Sequence, residues 1–283
     1  MDTILPAYGD AVKNLTLRQD SDAGLESIQG IKGFLIDLDG VLYIGDHPIE
    51  GAGAAIEYLI QKNYTIRCIS NTTRKCRKTI AGQLSAIGLE IPEEYIFTPP
   101  QAAIAYMKKT GKNRFHLLTT GDVDRDFIGA GAGDPSGKTD FVIVGDAGDV
   151  LTYNSLNAAF RLLMAGAELI ALEKDRYWMA RDGLSLSAGP FVSALEFAAG
   201  KQAIVMGKPS KSFFDLALTD MGLHPDEVVM IGDDIYTDIA GAQQAGITGI
   251  LVKTGKFCDE CLQDSGIHPD AVIGSIADLD RIV

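Results

Sequence analysis

Four short groups of polar residues in this chain have the side-chain types that phosphoryl transfer needs. The groups are Asp37 with Asp39, Ser70 with Asn71, Lys208 alone, and Asp233, Asp234 and Asp238. Carboxylates that gather at one place repel one another unless a cation lies among them, and carboxylate oxygens are preferred ligands of Mg²⁺. A lysine and a helix N-terminus are typical of phosphate sites. Together the groups predict a Mg²⁺ site beside a phosphate site.

The chemistry of each side chain indicates its role in such a reaction. An aspartate at the end of a buried strand can attack phosphorus, which would make Asp37 the nucleophile and an aspartyl phosphate the intermediate. Asp39, two residues further on, can protonate the leaving oxygen and then activate the hydrolytic water. Lys208 would limit the build-up of negative charge on the phosphate.

The last acidic group is expected to hold the metal ion. Asp233 would be a direct ligand, and Asp238 or Asp234 would hold the water shell of the ion; the sequence leaves the choice between these two open. A single aspartate is more often a solvated turn residue or a helix cap. The prediction therefore depends on the four groups occurring together and in this order.

Predicted strands bring the four groups to one edge of a sheet. Each group follows a strand, at residues 33–36, 64–69, 203–206 and 228–231. Ligands of parallel α/β sheets bind at the carboxyl ends of the strands. Residues 70–73, after the second of these strands, are helix N-cap types, so a helix is expected to begin there.

The length of the chain predicts more than one domain. A chain of 283 residues corresponds to two domains or to one core with a large insertion. The alternation of strands and helices continues through the middle of the chain, which predicts an α/β fold with mostly parallel sheets. Domain junctions are expected near residues 97 and 200. Residues 1–30 lack periodicity and are interpreted as a weakly helical N-terminal extension.

The four groups resemble the four motifs of the haloacid dehalogenase-like (HAD) phosphatase superfamily. The matching segments are Asp37-Leu38-Asp39-Gly40-Val41-Leu42, Ser70-Asn71, Gly207-Lys208-Pro209, and Gly232-Asp233-Asp234 with Asp238. Residues 69–73, 205–210 and 241–246 are similar to subfamily IIA, the branch that includes the p-nitrophenyl phosphatases and pyridoxal phosphate phosphatase. Further segments, such as residues 252–256, are similar to the phospholysine phosphohistidine inorganic pyrophosphate phosphatase group within it.

The resemblance implies a fold and a set of roles. It implies a HAD-like Rossmannoid parallel-sheet core, formed by residues 31–97 and 201–283, with an inserted C2-type α/β cap domain at residues 98–200. It also implies that Ser70 and Asn71 bind phosphate and that the backbone carbonyl of Asp39 contacts Mg²⁺. The cap of this subfamily often carries dimer contacts, so a homodimer is expected.

One loop of the expected cap has residue types that could contact a substrate. Residues 173–178 follow a predicted strand and contain Lys174, Arg176 and Tyr177. Either cation could meet a second anionic group of the substrate, and the tyrosine could stack on a ring. A solvated loop with aromatics at an interface is the alternative that the sequence leaves open.

The net charge and the cysteine content indicate which partners and which cellular compartment to expect. The net charge of −13 argues against nucleic acid or an anionic membrane as a partner. No targeting segment is recognisable, and Cys258 and Cys261 form a Cys-x-x-Cys without a second pair, which favours two ordinary thiols in a reducing cytoplasm.

The favoured function is hydrolysis of a small phosphorylated metabolite by a Mg²⁺-dependent phosphatase. A phosphomutase on the same scaffold is an alternative, but the interval between Asp37 and Ser70 is short for the cap that such enzymes insert there. A catalytically weak relative that acts as a binding or regulatory partner is a second alternative. The presence of every reacting group favours the phosphatase.

Overall fold

We describe the fold from a computed structural model of the chain. It describes residues 30–131, 138–180 and 182–281. Within these ranges, no helix is both long enough and apolar enough to cross a membrane. The expected N-terminal extension, residues 1–30, lies outside the described residues except for Gly30.

Strands and helices alternate along most of the described chain. The strands are β1 (Gly33–Asp37), β2 (Tyr43–Ile44), β3 (His47–Pro48), β4 (Thr65–Ile69), β5 (Ile96–Phe97), β6 (Phe115–Leu118), β7 (Phe141–Val144), β8 (Glu168–Ala171), β9 (Tyr177–Ala180), β10 (Gly183–Leu186), β11 (Ile204–Val205), β12 (Val228–Gly232), β13 (Thr248–Val252) and β14 (Ala271–Ile273). The α-helices are α1 (Ala52–Gln61), α2 (Arg77–Ala86), α3 (Pro99–Thr110), α4 (Tyr153–Met164), α5 (Gly189–Ala199), α6 (Lys211–Met221), α7 (Gly241–Gln244) and α8 (Asp259–Ser265). A π-helix, Ile235–Ala240, directly precedes α7.

A six-stranded sheet in the order β14-β13-β12-β1-β4-β5 forms the first layer. All of its pairings are parallel, and β1 lies between β12 and β4. Every residue of β1 is buried, because Phe34 and Ile36 join the apolar cluster on one face of the sheet and Leu35 joins the cluster on the other. This two-sided burial explains the continuous apolar run in the sequence.

A second parallel sheet has four strands in the order β11-β8-β7-β6. Its residues Phe141 and Ile170 belong to the same apolar cluster as Leu35 of β1, so the two sheets share one hydrophobic layer. Strand β11 lies beyond residue 200, within the segment expected to belong to the core. The division into core and cap at residues 97 and 200 stays a prediction.

The architecture confirms the predicted α/β class with parallel sheets. The antiparallel hairpin β9–β10 was not predicted, because its residues alternate weakly and lie mostly exposed. Helix α3 was not predicted either, since Pro99 and Pro100 were read as a junction, whereas they occupy the first helical turn, where proline is tolerated. The sequence also predicts a helix over residues 238–245; in the structure this helical segment begins earlier, with the π-helix at Ile235.

Candidate active site

The strand order brings three of the four predicted groups to one edge of the six-stranded sheet. The prediction that Lys208 also follows a strand of this sheet is wrong, because Lys208 follows β11, which pairs with β8 in the four-stranded sheet. Asp37 is the last residue of β1 and lies in register with Ile69, the last residue of β4. Asp233 directly follows β12, the neighbour of β1 on the other side. The carboxyl ends of three adjacent parallel strands therefore present the nucleophile candidate, the Ser70–Asn71 loop and the acidic group together.

Lys208 lies at the centre of this edge. Its Nζ donates to Asp238 Oδ1 at 2.6 Å and pairs with Asp37 Oδ1 at 2.7 Å. The lysine side chain is 4% exposed and that of Asp238 is completely buried. A single ammonium group thus offsets two carboxylates that come from different parts of the chain.

Burial and charge shift the protonation of these groups. Removal from water favours the neutral amine, but the charges of Asp238 and Asp37 outweigh it and raise the pKa of Lys208, which stays cationic. Burial raises the pKa of Asp37, and the ammonium group of Lys208 opposes that rise. Burial likewise raises the pKa of Asp238 to about 6.

The acidic residues fit a divalent cation. Asp37, Asp233 and Asp238 are buried, and each offers a ligand oxygen within 4.8 Å of the others. Asp233 Oδ2 accepts a hydrogen bond from the backbone N–H of Lys256 at 2.7 Å, whereas its buried Oδ1 has no hydrogen-bond partner. Burial raises the pKa of Asp233 to about 6. A carboxylate oxygen that is buried without a donor is the kind of group that a hard cation such as Mg²⁺ satisfies.

The structure separates the two candidates that the sequence left open. Asp234 Oδ1 accepts hydrogen bonds from the backbone N–H groups of Tyr236 and Thr237, at 2.9 and 3.0 Å, and so caps the π-helix. Asp238 lies inside that π-helix and joins the buried acidic cluster. A π-helical turn is frequent at functional sites, and here it directs Asp238 towards Asp37.

Asn71 fixes the loop that carries Lys208. Its Oδ1 accepts from the backbone N–H of Lys208 at 2.7 Å, and its Nδ2 donates to the carbonyl of Lys208 at 2.8 Å. Ser70 is half-buried, and its Oγ accepts from the backbone N–H of Thr72 at 3.3 Å. Asn71 is thus occupied with positioning the lysine backbone, while the hydroxyl of Ser70 keeps the capacity to donate.

Helix α2 does not begin where its N-cap residue types predicted. It begins at Arg77, and the backbone N–H groups of Cys76 and Arg77 donate to Asp122 and Asp126. Those carboxylates, which come from the segment after β6, occupy the positive end of the helix. The predicted start of this helix is therefore wrong by about three residues, and the N–H groups at its actual start already have carboxylate acceptors.

A loop to which the sequence analysis assigned no role in the site closes its other side. This loop, residues 254–258, lies between β13 and α8 and is called the 254–258 loop below. Thr254 Oγ1 donates to the carbonyl of Gly40 at 2.5 Å, and Lys256 donates to Asp233 as described. A Cβ atom on Gly40 or Gly255 would lie 1.9 or 2.0 Å from Asp233 Oδ2, so a larger residue at either position would displace the Asp233 carboxylate.

Asp39 occupies the loop between these elements. It is exposed, in contrast to Asp37, and its backbone forms a bridge with Tyr43. Burial and the charge of Asp39 raise the pKa of Tyr43 to about 12. An exposed carboxyl two residues from a buried one has the access to solvent and substrate that an acid/base group needs.

The three predicted cap residues lie in different surroundings. Lys174 Nζ contacts both carboxylate oxygens of Glu196, at 2.9 and 2.7 Å. The guanidinium of Arg176 lies 5.9 Å from the ring centre of Tyr177, which is 54% exposed. Arg176 and Tyr177 are therefore accessible together, whereas the amine of Lys174 already has a carboxylate partner.

Glu173 orders the beginning of that loop and was missed at the sequence level. Its buried carboxylate accepts from Ser187 Oγ at 2.6 Å and from the backbone N–H groups of Ala188 and Asp175, at 2.8 and 2.5 Å. Burial raises the pKa of Glu173. A glutamate in a loop rich in charge looks solvated in the sequence, so only the fold reveals this role.

Two protein-family models match the chain. A haloacid dehalogenase-like hydrolase model matches residues 34–132. A HAD-hydrolase-like model matches residues 205–279. The first match contains the β1 and β4 strand ends, and the second contains Lys208 and the acidic group.

Curated relatives match over most of their length. The human haloacid dehalogenase-like hydrolase domain-containing protein 2 is 41% identical over 233 residues, which are 82% of this chain and 88% of the relative. The human phospholysine phosphohistidine inorganic pyrophosphate phosphatase is 37% identical over 236 residues, which are 81% of this chain and 86% of the relative.

Solved structures have a similar fold. The 4-nitrophenylphosphatase of Thermotoga maritima matches with a TM-score of 0.79 and 28% identity, covering 89% of this chain and 97% of the other. NagD of E. coli K-12 matches with a TM-score of 0.80 and 25% identity, covering 90% of this chain and 100% of the other.

Proposed function

This chain belongs to the haloacid dehalogenase-like hydrolase family, and on that premise we propose that it is a Mg²⁺-dependent phosphatase of small phosphorylated metabolites. Relatives and structural neighbours of similar sequence carry phosphatase names, in agreement with the predicted likeness to subfamily IIA. The phosphoryl group would pass to Asp37 and from there to water.

One observation carries the proposal. A buried lysine contacts two carboxylates at 2.6 and 2.7 Å, while a third carboxylate beside them keeps a buried oxygen without a partner. The unpartnered carboxylate oxygen of this set can bind one more cation, and the ammonium group of the lysine can bind one anion. A phosphate monoester accompanied by Mg²⁺ meets both requirements.

The residues of this chain would act in two steps. Asp37 attacks phosphorus while Asp39 protonates the departing oxygen, which leaves an aspartyl phosphate. Asp39, now ionised, removes a proton from the water that attacks the phosphorus of this intermediate. Lys208 and the hydroxyl of Ser70 would bind the phosphoryl oxygens, with Asn71 holding the lysine backbone in place.

Asp37, Asp233 and Asp238 would hold the Mg²⁺ ion, together with the backbone carbonyl of Asp39. When bound, the ion neutralises charge between nucleophile and phosphate and orients the two. Lys208 would exchange its contact with one of these carboxylates for a contact with the phosphate.

The substrate class follows from the loop of residues 173–178. We propose that Arg176 and Tyr177 contact the part of the substrate beyond its phosphate, with Lys174 contributing when it leaves Glu196. A small molecule with a second anionic group or a ring would match these side chains. The cap assignment, the homodimer and the cytoplasmic location belong to the same proposal and rest on the sequence.

Hydrolysis of p-nitrophenyl phosphate tests the proposal. We expect turnover with Mg²⁺ that EDTA abolishes and that Asp37→Asn lowers by more than about a thousandfold. Asp46→Asn, which changes an exposed aspartate between β2 and β3, is the matched control and should keep its activity. Turnover that survives EDTA or Asp37→Asn would refute the mechanism. No turnover of this ester, sugar phosphates, nucleotides, pyridoxal phosphate or pyrophosphate would favour the binding protein.

A further inference from the structure

Two cysteines lie beside the candidate active site. Cys258 is half-buried and Cys261 is exposed, and both are free thiols. Together with Asp233, Asp234 and Lys256 they line a cavity of about 140 Å³. The sequence favoured two ordinary thiols here, but in the structure these thiols share a cavity with Asp233 and Asp234 of the acidic group.

The first turn of α8 brings the two thiols together. Cys258 is the N-cap of this helix, and its Sγ accepts a hydrogen bond from the backbone N–H of Cys261 at 3.1 Å. The side chains at the N-cap and three residues later face each other in such a turn. The hydrogen bond between the two thiols raises the pKa of Cys261. Two sulfur atoms in this arrangement need little movement to form a disulfide.

The 254–258 loop connects these thiols to the loop after β1, which contains Asp39, and to the loop after β12, which contains Asp233. Thr254 holds the carbonyl of Gly40, next to Asp39, and Lys256 holds Asp233 Oδ2. A backbone hydrogen bond from Phe257 to Thr254, at 3.1 Å, closes the turn that leads to Cys258. A change in the conformation of Cys258 would therefore move the 254–258 loop, whose hydrogen bond from Lys256 holds the candidate metal ligand Asp233.

We propose that Cys258 and Cys261 are a redox-modification site, at which a low-molecular-weight disulfide oxidises the dithiol to an intramolecular disulfide and thereby lowers turnover at the adjacent site. The effect on turnover rests on the proposed phosphatase function. The formation of the disulfide does not.

The reaction is two successive thiol–disulfide exchanges. One cysteine thiolate attacks a sulfur atom of the small disulfide, forms a mixed disulfide and releases a small thiolate. The other cysteine thiolate attacks the protein sulfur of that mixed disulfide, which forms the internal S–S bond and releases the second small thiolate. The dithiol loses two electrons, and its two protons pass through water to the small thiolates. Cys261 meets the oxidant first because it is exposed, and its raised pKa predicts a faster reaction at higher pH.

Peptide mass spectrometry of the full chain tests the disulfide. Trypsin cuts after Lys256 and Arg281, so one peptide contains both cysteines, while Cys68 and Cys76 fall in separate peptides. The buried thiol of Cys68, in the 68–74 peptide, is the internal reference. After treatment with oxidised glutathione and alkylation, we expect the 257–281 peptide to be unalkylated and lighter by two hydrogen atoms. Recovery of two alkylated cysteines, or of stable glutathione adducts in that peptide, would overturn the proposal.

Turnover of p-nitrophenyl phosphate tests the coupling. Oxidation should lower it by about fivefold or more, and dithiothreitol should restore it. The double variant Cys258→Ser with Cys261→Ser keeps a hydroxyl at the N-cap and should lose the response to oxidised glutathione. A disulfide that forms without changing turnover would refute the coupling. A reduced protein that turns over neither this ester nor the other phosphates named above would refute the proposed function instead, and the peptide result would still decide whether the disulfide forms.

Discussion

At the scale of single residues, the charge of Lys208 determines how the buried acids of the site coexist. Its ammonium group contacts Asp37 and Asp238, and no other lysine or arginine of the described residues makes an ion pair with either of them. Two buried carboxylates without this amine would be uncompensated. The lysine therefore belongs to the stability of the protein as well as to its proposed chemistry.

Replacing Lys208 should expose that dual role. Without metal, we expect Lys208→Met to lower the free energy of unfolding by about 3–5 kcal/mol, because it leaves buried charges unpaired. Added Mg²⁺ should raise the melting temperature of the variant more than that of the wild type, since a cation at the acids replaces the lost charge. Thermal unfolding in EDTA and in Mg²⁺ measures both effects.

Lys211→Met provides the comparison for this measurement. Lys211 is an exposed lysine that pairs with Asp215 one turn along α6. It should change stability by less than about 1 kcal/mol and should not alter the response to Mg²⁺. An equal response to Mg²⁺ in Lys208→Met and the wild type would mean that the ion does not bind at these carboxylates.

At the scale of elements, the close approach of two loops shapes the candidate metal site. The Cβ of an alanine at position 255 would lie 2.0 Å from Asp233 Oδ2 and 2.5 Å from the Cα of Gly40. We expect Gly255→Ala to weaken Mg²⁺ binding by about 10–100-fold, because it displaces a ligand and its neighbouring loop. The Mg²⁺ dependence of turnover measures this effect.

Gly45→Ala separates crowding from backbone strain. Gly45 has a φ of 60°, close to the 59° of Gly255, but nothing lies within 4 Å of its Cβ position. Both variants should lose a similar amount of free energy of unfolding, because each places alanine at a positive φ. Only Gly255→Ala should need more Mg²⁺ for activity. Similar Mg²⁺ requirements for the two variants would contradict the assigned role of the 254–258 loop.

The second sheet contains an ion pair whose contribution to the free energy of unfolding should depend on pH. Asp140, before β7, accepts hydrogen bonds from Arg114, before β6, and these lower the pKa of Asp140 to about 2. A lowered pKa contributes stability above the unfolded value near 3.8, and that contribution disappears as the pH falls towards 2. Asp140→Asn should therefore cost up to about 2 kcal/mol at pH 7 and almost nothing near pH 2.

Urea unfolding across this pH range measures the difference. Asp46→Asn, at an exposed aspartate, serves as the control and should match the wild type at each pH. A deficit for Asp140→Asn that stays constant down to pH 2 would show that the aspartate stabilises the sheet by packing and not by its charge.

The residues at the strand ends could be predicted from the sequence, whereas the conformation of the segments that follow the strands could not. Asp37 and Asp233 could be placed because buried parallel strands are apolar runs with a sharp end. Asp238 could not be separated from Asp234, since a π-helical turn has no distinct sequence pattern. The role of Gly255 could not be predicted either, because it depends on a contact with a loop more than 200 residues away.

At the scale of the whole molecule, charged side chains join the two layers around the site. Arg74 pairs with Asp146 through two hydrogen bonds of 2.8 and 3.0 Å. Asp122 accepts from the backbone N–H of Cys76 at 2.9 Å and from Thr79 Oγ1 at 2.5 Å. Both acids follow strands of the second sheet, and all three of their partners follow β4. These contacts fix the loop that carries Ser70 and Asn71 between the layers.

Removing one of these contacts should affect stability and activity together. We expect Asp122→Ala to lower the free energy of unfolding by about 1–2 kcal/mol, as the loss of a helix cap does, and to lower turnover. Asp124→Ala changes an exposed acid two residues away, in the 3-10 helix Val123–Phe127, and should have little effect on either. Equal behaviour of the two variants, by urea unfolding and by turnover, would contradict the role of Asp122.

Long-range pairings of this kind limited what the sequence could predict about the whole molecule. The alternation of strands and helices predicted the fold class, but the sequence could not assign β11 to the second sheet, since its apolar run resembles that of the core strands. The partners of Arg74, Lys174 and Glu173 were equally hidden, because charged loop residues look solvated until the fold brings the opposite charge to them.

The most direct test of the central claim is to trap the phosphorylated enzyme. Asp39→Asn should transfer the phosphoryl group of an activated ester such as p-nitrophenyl phosphate to Asp37 but lack the base for its hydrolysis, so the intermediate should accumulate with Mg²⁺. After an acid quench and digestion with pepsin at low pH, mass spectrometry of the peptide that contains Asp37 should find one added phosphoryl group, located on Asp37 and absent from Asp37→Asn. An enzyme that turns over without this adduct, or that carries the phosphoryl group on another residue, would contradict the account.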